Sequence, residues 1–223
     1  MMFLYFASFG WANTDTELWS SSGFRYKPIK KTRIEYAQNF RWNNNISHLE
    51  HIMPEVAVSY KVNSWMSVEG AYRWNYEDQG DFILFHRGHL QSSFDSKYKD
   101  FGFDYRIRLQ EEWQIPVDEY RRKMRHRINM EWKNESSWTP KIMCEYFLEQ
   151  DDSMWQSEKI RWTMGSRYKI NKRHGTKILV HYEQRTDGKE NSNTLMIALN
   201  YQYKIPSKKK DTKQKNVPDT ESK

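Results

Sequence analysis

His86, His89, Ser92 and Ser93 fall within one short segment. A serine activated by a nearby histidine would make a lipase-type pair, as in membrane-barrel enzymes that act on phospholipid. Alternate residues of a strand share a face, so His89 pairs with Ser93 and His86 with Ser92. No third residue that would orient the histidine is identifiable. Polar residues on an irregular strand are the plainer reading, and no catalytic set is assigned; His89 and Ser93 stand as the candidates of an alternative function. Ser47-His48-Leu49-Glu50-His51 offers two imidazoles and one acid, too few for a dedicated metal site and read as loop. Asp151-Asp152 and Asp78 to Asp81 lack the ligand spacing of a calcium loop. Neither a metal nor a cofactor is expected.

A larger constellation is made of Arg and Glu at alternating positions: Arg33, Glu35, Arg41, Glu69, Arg73, Arg106, Arg108, Arg127, Glu131, Glu145, Arg161, Arg167, Glu183 and Arg185. Such a ladder has two uses. It can line a selective passage, or it can fill an interior with ion pairs. Filling is favoured, because ten to twelve strands enclose a narrow lumen.

The elements that must hold this ladder alternate with a period of two. Ile34, Tyr36, Phe40 and Trp42 share one face, and Arg33, Glu35, Asn39 and Arg41 the other. The same alternation recurs in Phe101 to Leu109, Ile128 to Trp132, Ile160 to Tyr168 and Leu195 to Tyr203, among others. A pleated strand turns these sets to opposite sides. Eleven candidate strands are counted, most of ten to thirteen residues. Asn, Gly, Asp and Pro clusters separate them, so neighbouring strands run antiparallel. Only Gln110-Glu111-Glu112 and Glu119 to Lys123 allow a helical turn. Leu18 to Lys27 alternates weakly. Bacterial barrels have even strand numbers, so ten or twelve strands are expected.

A soluble barrel would turn the aromatic face inward, and a membrane barrel would turn it outward. Three features favour the membrane. A tilted strand of about 9–11 residues crosses a bilayer, whereas soluble strands average about 5–6. The polar face uses Arg and Glu, with Lys gathered in turns and in the tail. An inward aromatic face would also leave a large apolar cavity to fill. Each Arg at the lipid midplane costs roughly 2–4 kcal/mol, so the arginines must face the lumen. Trp42, Trp74, Tyr76, Trp113 and Trp132, near strand ends, then read as interfacial girdles. The longer connections carry acids and the shorter ones bases or neutral turn residues. That places the acidic end outside the cell and the final strand's end in the periplasm.

The chain has 223 residues and a net charge of +7. No apolar run reaches the roughly 18 residues of a membrane helix, and the single Cys144 excludes an internal disulfide. Residues 1–12 are continuously apolar and end in Gly10 and Ala12, small residues two apart. They read as a signal peptide without its basic n-region, which points to a start further upstream. Residues 13–205 form the barrel. Residues 206–223 hold six Lys against three acids and no aromatic, so they read as a disordered basic tail. Much of the net charge thus lies outside the folded part, which argues against nucleic acid as a partner.

Arg106-Ile-Arg108-Leu-Gln-Glu-Glu, Arg125-His-Arg127, Arg161 with Gly165-Ser-Arg167-Tyr168, and His181-Tyr182-Glu-Gln184 resemble the bacterial barrel family known as domain of unknown function 2490. The resemblance runs from about Glu17 to Ile205. It implies an outer-membrane barrel and supplies no activity. The usual final aromatic residue has its nearest counterpart in Tyr203. The expectation is therefore an all-β, closed, antiparallel up-and-down transmembrane barrel of 10–12 strands with a charged lumen, in the outer membrane of a Gram-negative cell. Its role is structural or that of a narrow pore, and its partners are outer-membrane lipid and the barrel assembly machinery. A lipase- or deacylase-like barrel enzyme is one alternative. A soluble periplasmic barrel that binds an apolar ligand is another.

Overall fold

A computed structural model describes residues 15–115, 119–187 and 193–206. The expected signal peptide at 1–12 and nearly all of the basic tail lie outside these residues. Eleven strands follow one another: β1 (Asp15–Ile29), β2 (Thr32–Asn43), β3 (His48–Lys61), β4 (Met66–Asp78), β5 (Phe82–Tyr98), β6 (Phe101–Gln114), β7 (Glu119–Trp132), β8 (Trp138–Asp151), β9 (Met154–Lys169), β10 (His174–Arg185) and β11 (Thr194–Lys204). Each pairs with its sequence neighbours, and β11 closes the barrel on β1. No helix is present among the described residues, and Gln110 to Glu112 and Glu119 to Lys123 are strand.

The strand count corrects the expectation of an even number. Each hairpin reverses direction, so the first and eleventh strands of an up-and-down sheet run the same way. The closing pair is accordingly parallel, from Asp15 opposite Thr194 to Arg25 opposite Lys204. All other pairs are antiparallel. The weakly alternating Leu18–Lys27 segment is therefore a full member of the barrel. One consequence is that β1 begins at one rim and β11 ends at the other.

Most connections are short at both rims, and the longest, residues 186–193, lies at the first. At the first rim, where β1 begins, Asp78, Asp81, Asp151, Asp152 and Asp187 flank the turns. At the second, Lys30, Lys31, Lys99, Lys133, Lys172 and Lys204 do so. The signs segregate as expected, and the lengths do so only in part. The turn at Asp152-Ser153 has two residues with positive φ, 42° and 73°, which is hairpin geometry of the tightest kind. The connection between Trp132 and Trp138, at the second rim, is longer.

Period two translates directly into an inside-out distribution of polarity. Leu90 is 70% exposed and Trp162 53%, and Ile128, Ile142, Met164 and Ile178 also lie on the outer surface. Arg106, Glu145, Arg161 and Glu183 are buried. Aromatic clusters ring the outer surface near both ends. Toward the first rim Phe40 meets Trp42, and Tyr72 meets Trp74 and Trp113. Toward the second rim Trp65, Phe94, Tyr105 and His126 stack in a row, and Trp138 meets Tyr168. Of the girdle residues expected, Trp42, Trp74, Tyr76 and Trp113 lie toward the first rim and Trp132 toward the second.

Two glycines on inward-facing positions permit close strand approach. A Cβ on Gly165 would run into the carbonyl oxygen of Ile178, and one on Gly23 into that of Tyr36. Neither position admits a side chain at this strand separation. A bulge where β8 meets β9 leaves Glu158 without a partner across the ladder and re-aims it inward.

Candidate functional site

The interior holds the whole Arg/Glu ladder, and cross-strand register decides who meets whom. Glu145 on β8 is the hub. It accepts from Arg106 on β6, from Arg125 on β7 at 2.9 Å, and lies 3.5 Å from Arg161 on β9. Arg161 also donates to Glu183 on β10, whose other oxygen is 2.7 Å from Lys159. One buried carboxylate thus ties three guanidinium groups across four strands.

Two inward aromatic side chains complete this layer. Arg125 and Arg161 lie over the Phe147 ring at 4.5 and 4.8 Å, with Lys159 at 5.2 Å. Arg161 and Arg41 lie over Trp19 at 4.8 and 4.1 Å. Away from bulk water such contacts contribute about 2 kcal/mol each. Neither ring was assigned to the lumen from sequence. Alternation gives the face of Trp19 and Phe147 but not why an aromatic belongs on a charged one. The reason is that stacked guanidinium groups need a flat partner as well as an anion.

Outer layers pair more simply. Toward the second rim Arg33 reaches Glu35 at 2.9 Å and Glu69 at 3.5 Å, Arg127 donates to Asp104 at 2.9 Å, and Arg167 to Glu131 at 2.7 Å. Arg73 pairs with Glu55 at 2.6 Å. Toward the first rim Arg87 pairs with Glu112, Lys123 with Glu158 at 2.8 Å, and Arg185 with Asp187 at 2.5 Å. Every residue of the predicted ladder is on the inner face. Glu55, Arg87, Asp104, Glu112 and Arg125 share its parity and were not assigned. Lysine also enters the interior, through Lys123, Lys141, Lys159 and Lys177, against the expectation that it stays in turns and tail.

The ion pairs do not fill the barrel. A central cavity of about 300 Å³ remains, lined by nine Arg and Lys side chains and by Glu145 as its one carboxylate. A second space of about 580 Å³ opens at the second rim and shares Ser21, Arg127, Lys141, Lys177 and Asn200 with the first. A vestibule therefore leads from the basic rim to the cationic centre.

The chemical candidates from sequence fall apart. His89 and Ser93 are both inward but four residues apart on β5, about 13 Å at a strand's rise per residue. His89 instead faces Glu69 at 3.7 Å. His86 points outward and bonds the Tyr72 hydroxyl. His48 lies 3.4 Å from Asp78, and His51 lies 3.3 Å from Glu50. Among the described residues no three His, Cys, Asp or Glu side chains are placed to hold a metal ion.

A closed all-β barrel with a charged interior and an apolar exterior is the class these features define. Within it the chain belongs to the DUF2490 family of proteins of unknown function, whose sequence model matches residues 16–196. No curated protein matches the chain.

Proposed function

We propose that this protein is an integral β-barrel of the bacterial outer membrane with a narrow, ion-lined passage. The observation that carries this reading is the inverted polarity of the wall. Water-soluble barrels bury their apolar face, whereas here that face is the outer surface and the guanidinium groups are inside. Strands of 11 to 17 residues meet or exceed the length that a tilted crossing of the hydrocarbon needs. The aromatic rings near both rims support the same reading, since Trp and Tyr favour the bilayer interface. The acidic rim then faces outward and the basic rim the periplasm. Outer-membrane lipid and the assembly machinery are the partners this implies.

An interior crowded with charge offers no site to an apolar ligand, which disfavours the soluble alternative. The spacing of His89 and Ser93 disfavours lipid hydrolysis by that pair. Cell fractionation tests the location: the protein is expected in membranes that resist a urea wash and to need detergent for extraction. Recovery in the soluble fraction without detergent would contradict it. Planar-bilayer recordings test the passage: small conductance steps are expected, and a silent bilayer at every salt concentration would reduce the role to a structural one.

A further inference from the structure

We propose that the central cavity is a binding site for a small multivalent oxyanion of the phosphate or sulfate type, held by Arg41, Arg108 and Lys177. The proposal rests on the lumen being a hydrated interior, as read above, and adds the chemical class of its occupant.

Four carboxylates beside the cavity, Glu55, Asp104, Glu131 and Glu183, each already hold a cation, and Glu145 holds three. Among the described residues Arg41, Arg108 and Lys177 have no carboxylate within 4 Å, although all three line the cavity. Arg108 donates to the Gln91 side chain, at 2.6 and 2.9 Å, and Arg41 meets the Trp19 ring. A fixed surplus of positive charge inside a low-dielectric wall is costly unless an anion balances it.

Unmet donors point the same way. The Nε–H groups of Arg106, Arg125 and Arg127 are buried, lie on cavity-lining side chains and have no acceptor among the described residues. Buried donors in folded proteins nearly always have a partner. Guanidinium forks match the paired oxygens of a tetrahedral oxyanion, which a spherical halide lacks. At about 30 Å³ per water the cavity holds on the order of ten water molecules, enough for an oxyanion with part of its hydration shell.

Access fits as well. The vestibule enters from the rim that carries Lys30, Lys31, Lys133 and Lys204, and Lys177 stands where vestibule and cavity meet. A basic mouth raises the local concentration of anions. The barrel wall separates the cavity from lipid headgroups, so the occupant is a solute.

The test uses the purified full chain, folded in detergent micelles, titrated calorimetrically with inorganic phosphate, sulfate and chloride. One saturable site for phosphate or sulfate is expected, with chloride much weaker. Lys177→Met and Arg108→Gln should each weaken it by about tenfold or more, the loss of a charge-assisted hydrogen bond. Arg122→Gln, at the first rim, should leave it unchanged. Folded protein that binds neither oxyanion, or that binds them equally well in both lumen variants, would overturn the proposal. Either lumen variant suffices if the other fails to fold. A chain that stays dissolved without detergent would defeat the membrane reading and leave this titration interpretable.

Discussion

Glu145→Gln should destabilise the barrel by about 3–5 kcal/mol, the range for removing one partner of a buried ion pair. The substitution keeps the side chain's size and leaves three guanidinium groups, those of Arg106, Arg125 and Arg161, without their common anion. Their mutual repulsion then acts in a confined space. The neighbouring Arg161–Glu183 and Lys159–Glu183 contacts cannot compensate, since Glu183 is already saturated. The measurement is the urea midpoint of the folded barrel in micelles, followed by its resistance to unfolding in dodecyl sulfate. An equal substitution at the rim, Glu111→Gln, should shift the midpoint little, because Glu111 pairs with Arg122 in the open. Equal effects at the two positions would mean that Glu145 is no hub.

Leu90→Arg separates a bilayer from water. Leu90 stands midway along β5, points outward and is 70% exposed. On a water-soluble surface such a change is worth no more than about 0.5 kcal/mol in either direction. At the midplane of a bilayer it costs roughly 2–4 kcal/mol. Folding into lipid vesicles should therefore be impaired strongly, while Leu90→Val, which keeps the position apolar, should be tolerated far better. Indifference to Leu90→Arg in vesicles would contradict a lipid-facing wall.

Much of this molecule is legible in its alternation. Ile34 to Trp42 and Phe101 to Leu109 show two faces so clearly that strand, barrel and lumen follow from them. The count of eleven was also present in the sequence. It was set aside because barrels of bacterial outer membranes have even numbers, and no local feature of Leu18–Lys27 reveals that it pairs in parallel with β11. Closure is a long-range property, and parity of the count alone dictates its direction. Gln110–Glu112 and Glu119–Lys123, the two stretches that allow a helical turn, carry runs of polar and charged residues. Gln110, Glu112 and Lys123 take inward positions, and Glu111 pairs with Arg122 on the outer face near the rim, so the same residues extend β6 and β7.

The site was half legible. Parity names the lumen residues, but partnership depends on register between strands. Nothing in the sequence says that Arg106, Arg125 and Arg161 converge on Glu145, or that Arg41, Arg108 and Lys177 are left without an anion. Phe147 and Trp19 are hard to assign from sequence, because an aromatic on the charged face looks like noise in the alternation. They are the platforms on which the cations stack. Glu158 owes its inward position to a bulge, which breaks the very periodicity used to assign faces.

The central claim is that the outer aromatic and aliphatic side chains meet hydrocarbon. Its most direct test is tryptophan fluorescence of the folded chain in vesicles whose acyl chains carry bromine near their midpoint. Deep quenching by lipid, led by Trp162 at the middle of β9, is the predicted result, and Trp162→Phe should remove a large part of it. Emission untouched by the bromine, from a chain that remains in the aqueous phase, would contradict the account.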